Sequence, residues 1–198
     1  MHELENRVMV ITGASGGLGG AVVREFTAAG ARVAAVARSW KDAPRAEGVL
    51  RVEEDLLRPF GARAVVDRAI SAYGKIDGLV HLMGGFEGGQ RVSEISDQTW
   101  DRMLDLNLRS AFYMFRAALP HLMNSASGRI LAIGSRPALD PVPGLAAYAV
   151  SKAGLAALLR TVAAEARNSA LTANLVAVSV IDTPANRAAD PLHAAVLD

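Results

Sequence analysis

The chain has 198 residues, no cysteine, 51% hydrophobic and 21% charged residues, and a formal net charge of +1. That length suits one sizeable core in a single domain spanning residues 1–198, and the composition is that of a globular protein, not a disordered one. The near-neutral charge leaves no electrostatic footprint for nucleic acid or an acidic membrane. The missing cysteines remove disulfides, thiolate metal sites and thiol nucleophiles, and they fit a cytoplasmic location. The N-terminus lacks an apolar signal core, and no apolar run approaches the roughly 20 residues of a membrane span.

In chain order, Val8–Ile11 is a short apolar run ending in a glycine-rich turn and reads as a buried strand. Ala21–Ala29 has helical spacing and stops at Gly30. Arg32–Ala37 and Val49–Glu53 read as second and third strands, with a helix over Pro59–Tyr73 that stops at Gly74. Leu79–Leu82 is a fourth strand, Asp97–Met123 carries one or two helices, and Arg129–Ile133 is a fifth strand. A helix over Ala147–Ala166, a sixth strand over Thr172–Val178 and a short helix within Asp190–Leu197 complete the pattern, with Gly84–Gly89 and Asp140–Gly144 as loops. Strands separated by helices predict right-handed crossovers and a parallel sheet covered on both faces, an α/β fold in three layers.

The glycine turn carries the first chemistry. In Thr12-Gly-Ala-Ser-Gly-Gly-Leu-Gly19, Gly13 permits a sharp exit from the strand, Gly17 lets backbone approach a pyrophosphate, and Gly19 lets the next helix pack closely. Ser15, Gly16 and Leu18 complete a turn whose following helix offers amides and a dipole to phosphate. Further on, Tyr148 and Lys152 lie one helical turn apart on one face, downstream of Asn107 and Ser135. The histidines, His2, His81, His121 and His193, show no ligand spacing, and Ser15 and Ser135 lack a hydrolase elbow, so no metal or serine-hydrolase chemistry is expected.

Thr12-Gly-x-x-x-Gly-x-Gly19 with Tyr148-x-x-x-Lys152 resembles the short-chain dehydrogenase/reductase family, from about Arg7 to about Asn186. The resemblance implies a Rossmann-type doubly wound sheet and a nicotinamide-dependent oxidoreductase acting on a small carbonyl or secondary alcohol. It implies Tyr148 as general acid/base, with Lys152 favouring the phenolate and binding the nicotinamide ribose. It also implies Ser135 as the donor to the substrate oxygen and Asn107 as holder of a relay water. Asp55-Leu56 matches the adenine-contacting pair, with helix capping as the other reading of Asp55. Gly84 matches the close backbone approach to the cofactor, and Thr183 matches the contact to the nicotinamide carboxamide. At the end of the second strand, Ala37 stands where NAD-binding members carry an acid, and Arg38 follows. NADP is therefore expected over NAD, Arg38 meeting its phosphate, unless Arg38 stacks on adenine or faces water.

The chain departs from the family pattern in places. His81-Leu82-Met83-Gly84 stands where members commonly carry Asn-Asn-Ala-Gly, so His81 is either a structural replacement for asparagine or a proton donor. Val178-Ser179 replaces Pro-Gly. Gly84-Gly-Phe-Glu-Gly-Gly89 and Asp182-Thr-Pro-Ala-Asn-Arg187 are similar to the dihydropteridine reductase branch, although Ala37 denies that branch its NAD-binding acid. The family's substrate lid and last strand are expected to be missing. A nucleotide-binding relative without catalysis, a pteridine-type reductase, and a structural subunit are the alternatives. The alanine- and leucine-rich stretches 105–123 and 147–166 imply a homodimer or homotetramer. Phe86, Arg136, Pro137, Leu139 and Pro143 are candidate pocket residues.

Overall fold

The computed structural model describes residues 3–40 and 48–189. Six strands, β1 (Val8–Thr12), β2 (Arg32–Ala37), β3 (Val49–Glu53), β4 (Gly78–His81), β5 (Arg129–Ser135) and β6 (Thr172–Val178), form one sheet in the order β3-β2-β1-β4-β5-β6. Every pairing is parallel, with Val10 beside Ala34 on one side and Leu79 on the other. The helices are α1 (Gly19–Ala28), α2 (Pro59–Tyr73), α3 (Asp97–Leu104), α4 (Ser110–Met123), α5 (Ala146–Glu165) and α6 (Pro184–Ala189). None is long and apolar enough to cross a membrane.

Continuous apolar runs become central strands because both faces of the sheet are covered. Val10, Ala34, Val36, Val52, Leu79, Ile130 and Ala132 pack on one face against α2, α4 and α5. Their neighbours Met9, Ile11, Val33, Ala35 and Val80 pack on the other face with Val23 of α1. Among the described residues β3 and β6 are the edge strands, and Val176 of β6 is 44% exposed. Local signals set the helix ends. Pro59 opens α2 with its φ already fixed, and Gly74 closes it at φ 78°. The Ser96 hydroxyl accepts from Thr99 N–H to start α3.

Several elements differ from expectation: β1 ends one residue later, α1 begins two residues earlier and ends one earlier, and α5 begins and ends one earlier. β5 runs two residues further, which brings Ser135 into the strand, and β4 begins and ends one residue earlier. The stretch 97–123 is two helices joined by a π-helical turn at Asp105–Arg109. α6 at Pro184–Ala189 was not anticipated, while the helix expected within Asp190–Leu197 lies outside the described residues. Thr183 starts α6 by accepting from Asn186 N–H at 3.2 Å, with Pro184 behind it. This Thr-Pro signal was readable in the sequence.

Below the sheet, Asp77 ties β4 to its surroundings. It accepts from Val8 N–H at 2.9 Å, Lys75 at 2.9 Å and Ser125 at 3.1 Å. Burial opposes its charge, but these donors hold the carboxyl below the usual range. Above the sheet, the strand order reverses direction between β1 and β4, the place where this architecture opens a crevice.

Candidate active site

At that crevice the exits of β1 and β4 touch. Gly13 has φ 67°, and a Cβ there would stand 2.8 Å from Met83 N. Only glycine satisfies both conditions. The turn is tightened by Gly16 N–H to Gly13 O at 3.0 Å and Gly19 N–H to Gly16 O at 3.1 Å. Gly19 abuts the Gly13 carbonyl and Ala14 backbone, so it seats α1 on the turn, not on the sheet as expected. No side chain caps α1, whose N-terminal residue Leu18 is half-buried. Ser15, Gly16 and Gly17 are exposed along the turn. A Cβ at Gly17 would lie 2.9 Å from Thr183 Cγ2, so the start of α6 faces the turn across the crevice.

The second cluster gathers around α5. Lys152 is buried at 6% exposure, and its Nζ donates to Ile133 O at 2.9 Å. Burial lowers its pKa to about 8. Nζ lies 6.0 Å from the centre of the half-buried Tyr148 ring. Ser135, 3% exposed at the end of β5, lines the same 510 Å³ cavity as Tyr148 and Lys152. Of the five candidate pocket residues, Phe86 and Pro137 line this cavity, and Arg136, Leu139 and Pro143 do not.

Asn107 sits fully buried in the π-helical turn. Its Oδ1 accepts from Gly85 N–H at 3.0 Å, and its Nδ2 donates to Gly85 O and Ser151 Oγ, each at 3.0 Å. Both amide hydrogens are therefore committed to protein, and a relay water there has only Oδ1 or the backbone of the turn to hold it. A π turn inserts one residue into the ladder and re-aims what it carries, here Asn107 toward Gly85. Ser151 was missed in the sequence. It accepts from Asn107, donates to Tyr148 O at 2.7 Å, and so joins the turn to α5. Asn107 Oδ1 and Lys152 Nζ occupy the space that a Cβ at Gly84 would need, at 2.6 and 3.3 Å, so only glycine lets this loop pack so closely on both groups.

His81 is structural. Its Nδ1 lies 3.0 Å from Thr12 Oγ1, its Nε2 lies 3.3 Å from Ser110 Oγ, and its ring meets the Phe115 ring edge at 5.8 Å. Ser110 gives its proton to Leu106 O at 2.7 Å, and Thr12 Oγ1 accepts from Met83 N–H at 3.3 Å. This network assigns the proton to Nε2 and makes Nδ1 an acceptor. Complete burial, with the charge of Lys152 adding to it, lowers the imidazole pKa to about 3. The unfolded chain takes up a proton on His81 below about pH 6.5, which the folded chain refuses down to about pH 3. Stability attributable to His81 is thus full above pH 6.5 and declines as pH falls through that window. His81→Asn is expected to lose less of its urea midpoint than the parent between pH 7.5 and 5. An equal loss in both proteins removes His81 from the acid response.

The remaining expected residues are spread along the crevice. Arg38 is exposed just beyond the buried end of β2. Asp55 spends Oδ1 on Leu57 N–H at 3.0 Å, forming a local turn, and its other oxygen lies 3.6 Å from Arg58 Nε. It does not cap α2, whose N-cap position is Arg58. Leu56 is in the core, the whole residue 2% exposed, so it offers almost no surface to a ligand. Asp182 and Arg187 pair across the cavity rim at 2.5 and 2.6 Å. The uncapped amides of α1, the exposed turn at Ser15–Gly17 and the Lys152 ammonium near Gly84 fit an extended dinucleotide with its phosphates on the turn.

The short chain dehydrogenase family model matches residues 7–192. The 2-(R)-hydroxypropyl-CoM dehydrogenase of Xanthobacter autotrophicus is 33% identical, over 90% of this chain and 76% of that protein. The 3-oxoacyl-[acyl-carrier-protein] reductase of Escherichia coli is 29% identical, over 98% and 81%. Among solved structures, a 3-ketoacyl-(acyl-carrier-protein) reductase from Brucella melitensis complexed with NADH superimposes with a TM-score of 0.86 at 28% identity, over 91% of this chain and 78% of that one. With a family model spanning nearly its whole length and the sheet order of that fold, the chain belongs to the short-chain dehydrogenase/reductase family of NAD(P)-dependent oxidoreductases.

Proposed function

We propose that this protein is an NADP-dependent carbonyl reductase or secondary-alcohol dehydrogenase, with Asn107, Ser135, Tyr148 and Lys152 as its working residues. The observation that carries the reading is that a single apolar-walled cavity is lined by a serine hydroxyl, a phenol and a buried ammonium. The bound nicotinamide supplies or accepts the hydride. Ser135 donates to the substrate oxygen and stabilises charge developing there. Tyr148 gives that oxygen its proton in reduction and takes it in oxidation. Lys152, charged below about pH 8, sets a buried positive charge 6.0 Å from the centre of the Tyr148 ring and reaches the ribose. Asn107 and Ser151 hold the loop and helix that face each other over the substrate. Gly13, Ser15, Gly16, Gly17, Leu18 and Gly19 cradle the pyrophosphate, Gly84 and Thr183 contact the nicotinamide half, and Asp55, with the buried Leu56 behind it, borders the adenine.

The NADP preference rests on Arg38, which is exposed beyond Ala37 where an acidic residue would repel a phosphate. Arg38→Asp is expected to shift the NADPH/NADH affinity ratio toward NADH by roughly 10- to 100-fold, the worth of one charge-assisted contact. Calorimetric titration with both nucleotides reads it, and an unchanged ratio removes Arg38 from phosphate recognition. A homodimer or homotetramer in the cytoplasm belongs to the same reading. Exposed Phe112, Met123 and Val150 on α4 and α5 support the pairing of these helices. The function is tested by nucleotide titration followed by a ketone screen monitored through nicotinamide absorbance. Selective NADPH binding with ketone-dependent oxidation supports it, and binding without turnover across the screen overturns the catalytic part.

A further inference from the structure

We propose that the cavity selects neutral aryl ketones and the matching aryl carbinols, and that Phe86 is the residue that selects them. The inference rests on the reading of Tyr148 as the group that exchanges a proton with the substrate oxygen. Phe86 is 67% exposed, yet its ring is fixed edge-to-face on Tyr148 at 5.0 Å and 75°. A large apolar ring held in water beside the reacting phenol is a binding surface awaiting a partner.

Its position is built, not incidental. Gly85, just before it, is held by the two hydrogen bonds of Asn107. Glu87, just after it, accepts from Thr99 Oγ1 at 2.8 Å and pairs with Arg102 at 3.3 Å. Gly89 N–H donates to Gly144 O at 2.9 Å, which closes the loop onto the approach to α5. Gly88 packs against the Leu145 side chain, and a Cβ there would press on Leu145 Cδ2. The loop therefore presents Phe86 at small entropic cost when a ligand stacks on it.

The rest of the cavity fixes the chemistry. Pro137, Leu145 and Val180 supply apolar wall, and Val180 is itself 46% exposed at the mouth. Besides Lys152, the charged lining residues are Asp182 and Arg187, which pair through two hydrogen bonds. Lys152 is committed to Ile133 O and sits beneath the reacting end. Among the described residues no unmatched cation faces the non-reacting end, so a carboxylate or phosphate there would be desolvated without a partner from these residues. A planar ring attached to the carbonyl carbon, with its oxygen at Tyr148, meets the open face of Phe86 in offset stacking. In reduction the C=O π bond breaks, the nicotinamide hydride forms the new C–H bond, and the Tyr148 proton completes the O–H. The reduced nicotinamide is oxidised as the ketone becomes the alcohol.

The test uses the full chain with NADPH and three ketones: acetophenone, the linear 2-octanone of equal carbon count, and 4-acetylbenzoate, which carries an anion at the far end of the ring. In the parent, kcat/KM for acetophenone is expected to exceed that for either of the others by roughly 3- to 10-fold or more. Phe86→Leu is expected to bring the acetophenone to 2-octanone ratio close to one, and Phe86→Tyr to restore it. A parent that prefers 2-octanone or 4-acetylbenzoate, or a ratio unmoved by Phe86→Leu, overturns the proposal while leaving the oxidoreductase reading intact. If no ketone turns over, that reading fails by itself, and saturation-transfer NMR of acetophenone with the NADPH-bound chain decides the subsite. Binding weakened severalfold in Phe86→Leu supports it, and absent or unaltered binding overturns it.

Discussion

Tyr148→Phe is expected to lower kcat for ketone reduction by about 100- to 10,000-fold, the range spanned by positioned general acids. The Kd for NADPH should stay within about twofold. The substitution removes one hydroxyl and little else. The phenyl ring keeps its edge contact with Phe86, and Tyr148 O still accepts from Ser151. Ser135 remains to polarise the carbonyl, so a small residual rate is expected, not zero. Stopped-flow turnover with parallel nucleotide titration separates the two quantities. Turnover above about one-tenth of the parent takes the proton transfer away from Tyr148, and a matching loss of NADPH affinity assigns the residue to binding instead.

Lys152→Met is expected to abolish turnover and make the protein more stable. The ammonium is buried, and its pKa falls on folding from 10.5 to about 8. The folded state therefore carries a desolvated charge at neutral pH that costs up to about 3 kcal/mol. Losing the bond to Ile133 O offsets about 1 kcal/mol of the gain, since that carbonyl is left short of a donor. The sign follows from proton counting. Between pH 8 and 10.5 the unfolded chain holds a proton on Lys152 that the folded chain lacks, so parental stability rises with pH across that window. The methionine variant has no such rise. Urea midpoints should differ most at pH 7 and converge toward pH 10. A variant less stable than the parent at pH 7 means that the Lys152 hydrogen bond outweighs its desolvation. Sites of this kind commonly give up stability for function.

What could be read from the sequence was whatever a local rule encodes. Pro59 and Gly74 bracket α2 because one has a fixed φ and the other tolerates a positive one. The glycine turn was legible because a strand stops and a helix starts within it. The π turn was not. Met103, Asn107, Ser110, Ala111, Met114 and Phe115 are buried at ordinary helical intervals, so the apolar pattern passes through the turn without a break. The turn answers to Gly85, a partner on another loop. His81 was similarly underdetermined, because Thr12 and Ser110 reach it from β1 and α4. Leu56 was legible as part of a motif, but not that its side chain belongs to the core, which depends on where α2 lands.

The line Met83 N–H, Thr12, His81, Ser110, Leu106 O begins at a donor that cannot become an acceptor and ends at an acceptor that cannot become a donor. Proton hopping along such a line requires every dipole in it to reverse, and neither end permits this. The line is therefore an insulator running through the same buried layer as Lys152. Under the proposed mechanism, a proton exchanged at Tyr148 finds no path along this line toward the β1–β4 seam.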